Sequence, residues 1–199
     1  MDNANPSGRN IFVHATGAGV QSAYGGVSIP QIKNNLIGLG ASAVAGLNAK
    51  GIHFTGTSGG SLQNNVIANN TKGIVVSAAT TGVDYATNNK IFANGIAVDL
   101  SDDGLTGNDD SVFPYDTDNG GNLKLNFPII TSLTPTSGTA ANVNYVLKSS
   151  ASSNFQVLFC RNPAGGVQCE EPVATTPIAT NAAGIYSGTF GIGGLVPGT

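Results

Sequence analysis

The residues best suited to chemistry in this chain are carboxylates, and they are concentrated. Seven of the 11 Asp and Glu (Asp99, Asp102, Asp103, Asp109, Asp110, Asp116 and Asp118) fall within one 20-residue window. The run Asp116-Thr117-Asp118-Asn119-Gly120-Gly121-Asn122 sets oxygen donors at alternate positions, beside glycines that permit a tight turn. Such a set suits Ca²⁺, a hard cation that takes oxygen ligands. Asp109, Asp110, Asp116, Asp118 and Asn122 are the candidate ligands. No Glu stands at the closing position of an EF-hand loop, and the same residues also serve as turn formers in a solvated acidic loop. The spacing leaves both readings open. Asp102-Asp103, with Asp99 nearby, offers a paired carboxylate of the kind glycosidic acid–base work requires. The two arginines, Arg9 and Arg161, lie far from it in sequence, and no catalytic residue is assigned. His14 and His53 sit in apolar strands, where alternation points His53 away from Ile52 and Phe54, so both read as surface residues.

The two cysteines, Cys160 and Cys169, flank a turn built from Pro163 and Gly165-Gly166. A disulfide across that turn is the favoured reading and implies an oxidising compartment; a pair of free thiols is the alternative. The eight basic residues are scattered and form no patch, which argues against a nucleic-acid partner. No apolar run reaches the length of a membrane span. The start, Met1-Asp2-Asn3-Ala4-Asn5, lacks the basic and apolar regions of a signal peptide.

The elements that must position these groups are strands. Charged residues are only 10 % of the chain and Gly numbers 28, a turn-rich composition that favours an all-β protein. Gly51-Ile52, Gly73-Ile74 and Gly95-Ile96 each open a short apolar stretch, at steps of 22 residues. A period of that length fits a solenoid whose coils each contribute a strand at one angular position. Ile52, Phe54, Ile67, Ile74, Val76, Ile91, Ile96 and Val98 are then the inward positions, with Ile11–His14 and Val27–Ile29 in the first coils. Asn34-Asn35, Asn64-Asn65 and Asn88-Asn89 recur less regularly, as corners between strands. Asn suits such corners, and its side chains can stack as amide ladders along the axis. The ends of the stack need capping. From Asn126 onward, short alternating strands at 142–147, 155–159 and 184–190 read as a β-sandwich.

The runs Ile37-Gly38, Gly46-Leu47-Asn48 and Gly51-Ile52, then Gly95–Leu100, Asp102-Asp103-Gly104, Asn108-Asp109 and Asn126-Phe127-Pro128, resemble the right-handed parallel β-helix repeats (pectate-lyase-like) of bacterial surface proteins. Phe155–Phe190 resembles the sandwich module that commonly follows them. The resemblance implies an all-β chain, with a short β-helix over 1–125 and a sandwich over 126–199. It implies an extracellular or cell-surface location and a non-catalytic structural or adhesive role. The family's sandwich usually continues past a Val-Pro corner, whereas this chain stops at Val196-Pro197-Gly198-Thr199. Self-association, head-to-tail or by strand donation, is expected on that ground. The alternatives are a β-helical polysaccharide lyase or hydrolase, or a glycan-binding module.

Overall fold

The computed structural model describes residues 9–26, 30–40 and 44–195. Val27–Ile29 of the first coils and the 196–199 corner lie outside the described residues. Among the described residues, eleven short strands wind into a solenoid. One parallel sheet stacks β1 (Ile11–Phe12), β4 (Leu36–Ile37), β7 (Val66–Ala68) and β10 (Lys90–Phe92). A second stacks β2 (Ala18–Ser22), β5 (Lys50–Phe54), β8 (Lys72–Val76) and β11 (Ile96–Leu100). The third holds β3 (Gln31–Lys33), β6 (Ser61–Gln63) and β9 (Asp84–Thr87). This is a parallel β-helix. Ile37, Ile52, Phe54, Leu62, Ile67, Ile74 and Val76 fill its interior and are wholly buried, with Ile91 and Leu100 nearly so.

The 22-residue step holds once. Ile52 pairs with Ile74, but Ile74 pairs with Val98, 24 residues on, and Ile96 pairs with Lys72. Gly95-Ile96 therefore stands two residues out of register with its predecessors. Ile96 accordingly lies outside the buried cluster, while Val98 and Leu100 continue the core column. One extra residue lies in the turn after β8, and another is taken up by a bulge where Ser61 and Gln63 face Asp84 and Thr87. A shift of two keeps every side chain on its own face of the strand, so the slip moves Ile96 to the strand's start, opposite Lys72, without turning Val98 and Leu100 away from the core.

Asparagine ladders set the register. In each pair the first Asn takes the left-handed corner conformation (Asn34, Asn64 and Asn88 at φ 58°, 56° and 52°). The second turns inward. Asn10, Asn35, Asn65 and Asn89 form one ladder, each side-chain Nδ2 donating to the next Oδ1 at 3.0 Å. Asn48, Asn70 and Asn94 form a second, at 2.8 and 2.9 Å. Each upper Oδ1 also accepts the backbone N–H of the Asn below in the pairs 35/65, 65/89 and 70/94. Gly51 lies beside the second ladder, where an added Cβ would come 2.5 Å from the Gly73 carbonyl and 3.0 Å from Asn70 Nδ2. That close approach is the reason for a glycine there.

The second part of the chain has two facing antiparallel sheets. One orders β12 (Ile129–Ser137), β13 (Ala140–Lys148) and β16 (Ile185–Gly193); the other pairs β14 (Asn154–Arg161) with β15 (Glu171–Ala179). Tyr145, Leu147, Val157 and Ile178 form the core between them. Phe159 stacks on Phe190 at 4.1 Å between centroids and meets Tyr145 edge-on at 5.2 Å. Strand β15, not among the strands read from the sequence, alternates in burial although it carries Pro172 and Pro177. Two-stranded sheets have only edges, and edge strands tolerate Pro.

Candidate functional site

The acidic segment is an ordered strap that leaves β11, crosses the outside of the solenoid and enters the sandwich. Asn122 fixes its middle. Its Oδ1 accepts the Val83 N–H and its Nδ2 donates to the Val83 carbonyl, both at 2.9 Å. The far end is tied by Asn126, whose Nδ2 donates to the Lys148 carbonyl at 2.9 Å. The Ser149 hydroxyl donates to Asp116 Oδ2.

Within the strap, Asp109, Asp116 and Asp118 each bring one carboxylate oxygen to within 4.8 Å of the other two. Asp109 accepts the Asp116 and Thr117 backbone N–H groups, each at 2.9 Å. The Thr117 N–H is the main reason its carboxyl is held below the usual carboxylate range, with Asn126 and Asp116 assisting against burial. Asp118 behaves oppositely. Burial pushes its carboxyl up, and the charges of Asp109 and Asp116 push the same way. Its Oδ1 is buried without a hydrogen-bond partner. Three converging oxygens of this kind form a donor set that fits a hard divalent cation.

Asp110 and Asn122 take other roles. Asp110 faces Lys148, whose Nζ donates to the Asp110 carbonyl at 3.1 Å and stands 4.0 Å from its carboxylate. Both Asn122 side-chain atoms are engaged by Val83.

A second charged cluster was not evident in the sequence. Lys50 and Lys72 are register partners on adjacent coils. They reach the end of β11 and the turn after it: Lys50 Nζ lies 2.5 Å from Asp102, and Lys72 Nζ lies 2.7 Å from Asp102 and 2.6 Å from Asp99. The Asp99 side chain is fully buried and also accepts the Gly104 N–H. Burial pushes the Asp102 carboxyl up, but hydrogen bonds from Lys50 and Lys72 outweigh it and hold the group low. Hydrogen bonds to Asp102, then to Asp99, raise Lys72. The repeated Lys-Gly-Ile at 50–52 and 72–74 was the available signal. Asp103 pairs separately with Lys124 at 2.8 Å.

His53 is half-buried, its Nε2 lying 3.0 Å from the Ser77 hydroxyl. Burial, and next the charge of Lys50, lower its pKa. His14 follows β1 in the left-handed conformation, at φ 59°. Cys160 and Cys169 are joined by a disulfide, with Cα atoms 5.2 Å apart. No family of known proteins and no curated protein matches this chain. No helix among the described residues is long and apolar enough to cross a membrane.

Proposed function

We propose that the chain is a non-catalytic structural or adhesive module of an extracellular bacterial surface, framed like the pectate-lyase-like β-helices and assembling through its sandwich. One observation carries this reading. All nine residues of β12 are exposed, none is charged, and among the described residues β13 is its only neighbour in the sheet. Cross-strand partners share a face, so Ile130 and Leu133, opposite Tyr145 and Val143, point the same way as the sandwich core. They are nonetheless 66 % and 59 % exposed. A strand from a second copy that paired with β12 and covered these side chains would add main-chain hydrogen bonds and apolar burial together. The carboxylates that would be needed for glycosidic chemistry, Asp99 and Asp102, are neutralised by lysines, which supports a structural role.

Sedimentation over a concentration series is the test. The protein is expected to self-associate, and Leu133→Lys is expected to abolish association while leaving the unfolding transition within about 0.5 kcal/mol, as for exposed positions generally. Monodisperse monomer at high concentration would overturn the reading.

The acidic strap is assigned Ca²⁺, held by Asp109, Asp116 and Asp118. An Asp with a raised folded-state pKa contributes stability below its unfolded pKa and loses it as pH rises through the folded value. At neutral pH the trio therefore repels itself, and a divalent cation relieves that repulsion. Ca²⁺ in hundredfold excess over its Kd should raise stability by about 2–3 kcal/mol. The gain should shrink as acid protonates Asp118, and Asp118→Asn should weaken it at neutral pH. An unchanged melting curve in millimolar Ca²⁺ would remove calcium from the proposal.

A further inference from the structure

The turn between β14 and β15, residues 162–170, projects out of the sandwich and lands on the last coil of the solenoid. Gln168 occupies the place of a missing asparagine. On the rung below, Asn94 Oδ1 accepts both the backbone N–H and the Nδ2 of Asn70, at 3.0 and 2.9 Å. One rung up, Gln168 Oε1 accepts both the backbone N–H and the Nδ2 of Asn94, each at 3.2 Å. Gln168 Nε2 in turn donates to the Asn94 carbonyl at 2.5 Å. The next residue continues the imitation. Ile91 of β10 donates its N–H to the Cys169 carbonyl at 2.6 Å, an antiparallel bridge on the last strand of its sheet. The Cys169 side chain packs against the solenoid core.

These two residues are held in place from the sandwich side by the Cys160–Cys169 disulfide, which closes a loop of sequence separation nine. Cys160 sits in β14, so the covalent link anchors the turn to a strand with a packed core behind it.

We infer that this turn is a detachable, redox-sensitive end cap: it reproduces the hydrogen-bonding face of one further coil, and the disulfide keeps it seated. The cap has a consequence for assembly, because axial stacking of copies through this end is blocked while it is closed. The β12 edge stays free of the cap. Opening the cap is simple chemistry. A water-soluble phosphine, the disulfide and one water give two thiols and the phosphine oxide, with no change elsewhere in the chain.

Native-state hydrogen exchange followed residue by residue provides the test. On reduction of the folded full chain, the Ile91 and Asn94 amides should exchange about tenfold faster, the scale of one or two net hydrogen bonds. The Ile67 amide, one coil below, and the Tyr145 amide, in the sandwich core, should change little. Gln168→Ala, with the disulfide intact, should speed Asn94 and spare Ile91. This second variant keeps the question answerable if the reduced protein unfolds. Unchanged exchange at Ile91 and Asn94 after reduction, or a uniform rise across both parts, would overturn the cap: the disulfide would then serve the sandwich alone or the whole fold alike.

Discussion

Replacing Asn65 with leucine is expected to destabilise the solenoid by about 4 kcal/mol, although the two side chains are nearly equal in size. The Asn65 carboxamide is wholly buried. Its Oδ1 accepts from the Asn35 backbone N–H and Asn35 Nδ2, each at 3.0 Å, and its Nδ2 donates to the Ile32 carbonyl and to Asn89 Oδ1. Leucine leaves the Asn35 N–H without a partner and strips one bond each from Asn35 Nδ2, from Asn89 Oδ1 and from the Ile32 carbonyl, whose strand stays paired with β6. A buried polar group left unpaired costs about 1–3 kcal/mol, and one such orphan with three neighbours each losing a bond of about 0.5–1.5 kcal/mol reaches the figure given. The adjacent residue is the control. Asn64 sits at the corner with positive φ, and its side chain is bonded to Asn88 at the exposed surface. Asn64→Gly keeps that backbone accessible and should cost about 1 kcal/mol or less. Urea unfolding followed by far-ultraviolet circular dichroism measures both. A loss below about 1 kcal/mol for Asn65→Leu would mean that the ladder contributes no more than an ordinary polar contact.

Lys72→Met should cost about 3–5 kcal/mol, the range for removing one partner of a buried ion pair. The lysine itself is accessible, but the Asp99 side chain is not, and without the ammonium at 2.6 Å a buried carboxylate is left uncompensated. Asp102 is affected less, because Lys50 remains with it. The double variant Lys72→Met/Asp99→Asn removes the stranded charge and keeps an acceptor for the Gly104 N–H. It should recover to within about 1 kcal/mol of the parent, so the two substitutions are strongly non-additive. Additive losses in a double-mutant cycle would show that the pair is solvated and weakly coupled.

The coiled architecture was legible because its signals are local. Gly-Ile and Asn-Asn are dipeptides, and their repetition is visible without knowing what they touch. The Cys160 and Cys169 pairing was legible for the same reason, with Pro163 and Gly165-Gly166 between them. Register was harder to read. Gly95-Ile96 repeats the motif at the expected step, yet the buried bonds of Asn70 to Asn94 set the coil at 24 residues, and a dipeptide cannot outweigh a buried ladder. The Lys50, Lys72, Asp99 and Asp102 cluster was invisible because its members meet only after two coils have stacked. Gln168 was invisible because it reaches the solenoid from another part of the chain. In the acidic strap, Asp109, Asp116 and Asp118 converge on one point, and of these only Asp116 and Asp118 belong to the alternating run. Asp110 and Asn122 share the same local texture but are drawn off by Lys148 and Val83, competitors that no local pattern contains.

The two ladders also divide each coil into arcs of unequal freedom. Asn65 and Asn70 are five residues apart, as are Asn89 and Asn94, whereas Asn35 and Asn48 are 13 apart. The longer arc leaves and rejoins the same pair of ladders without disturbing the rungs above it. Such a frame separates inheritance from novelty: the rungs conserve a spine, while the arc between them can lengthen, shorten or be exchanged. Grafting a foreign peptide between Gly38 and Gly46 would use the position where this chain already tolerates extra length.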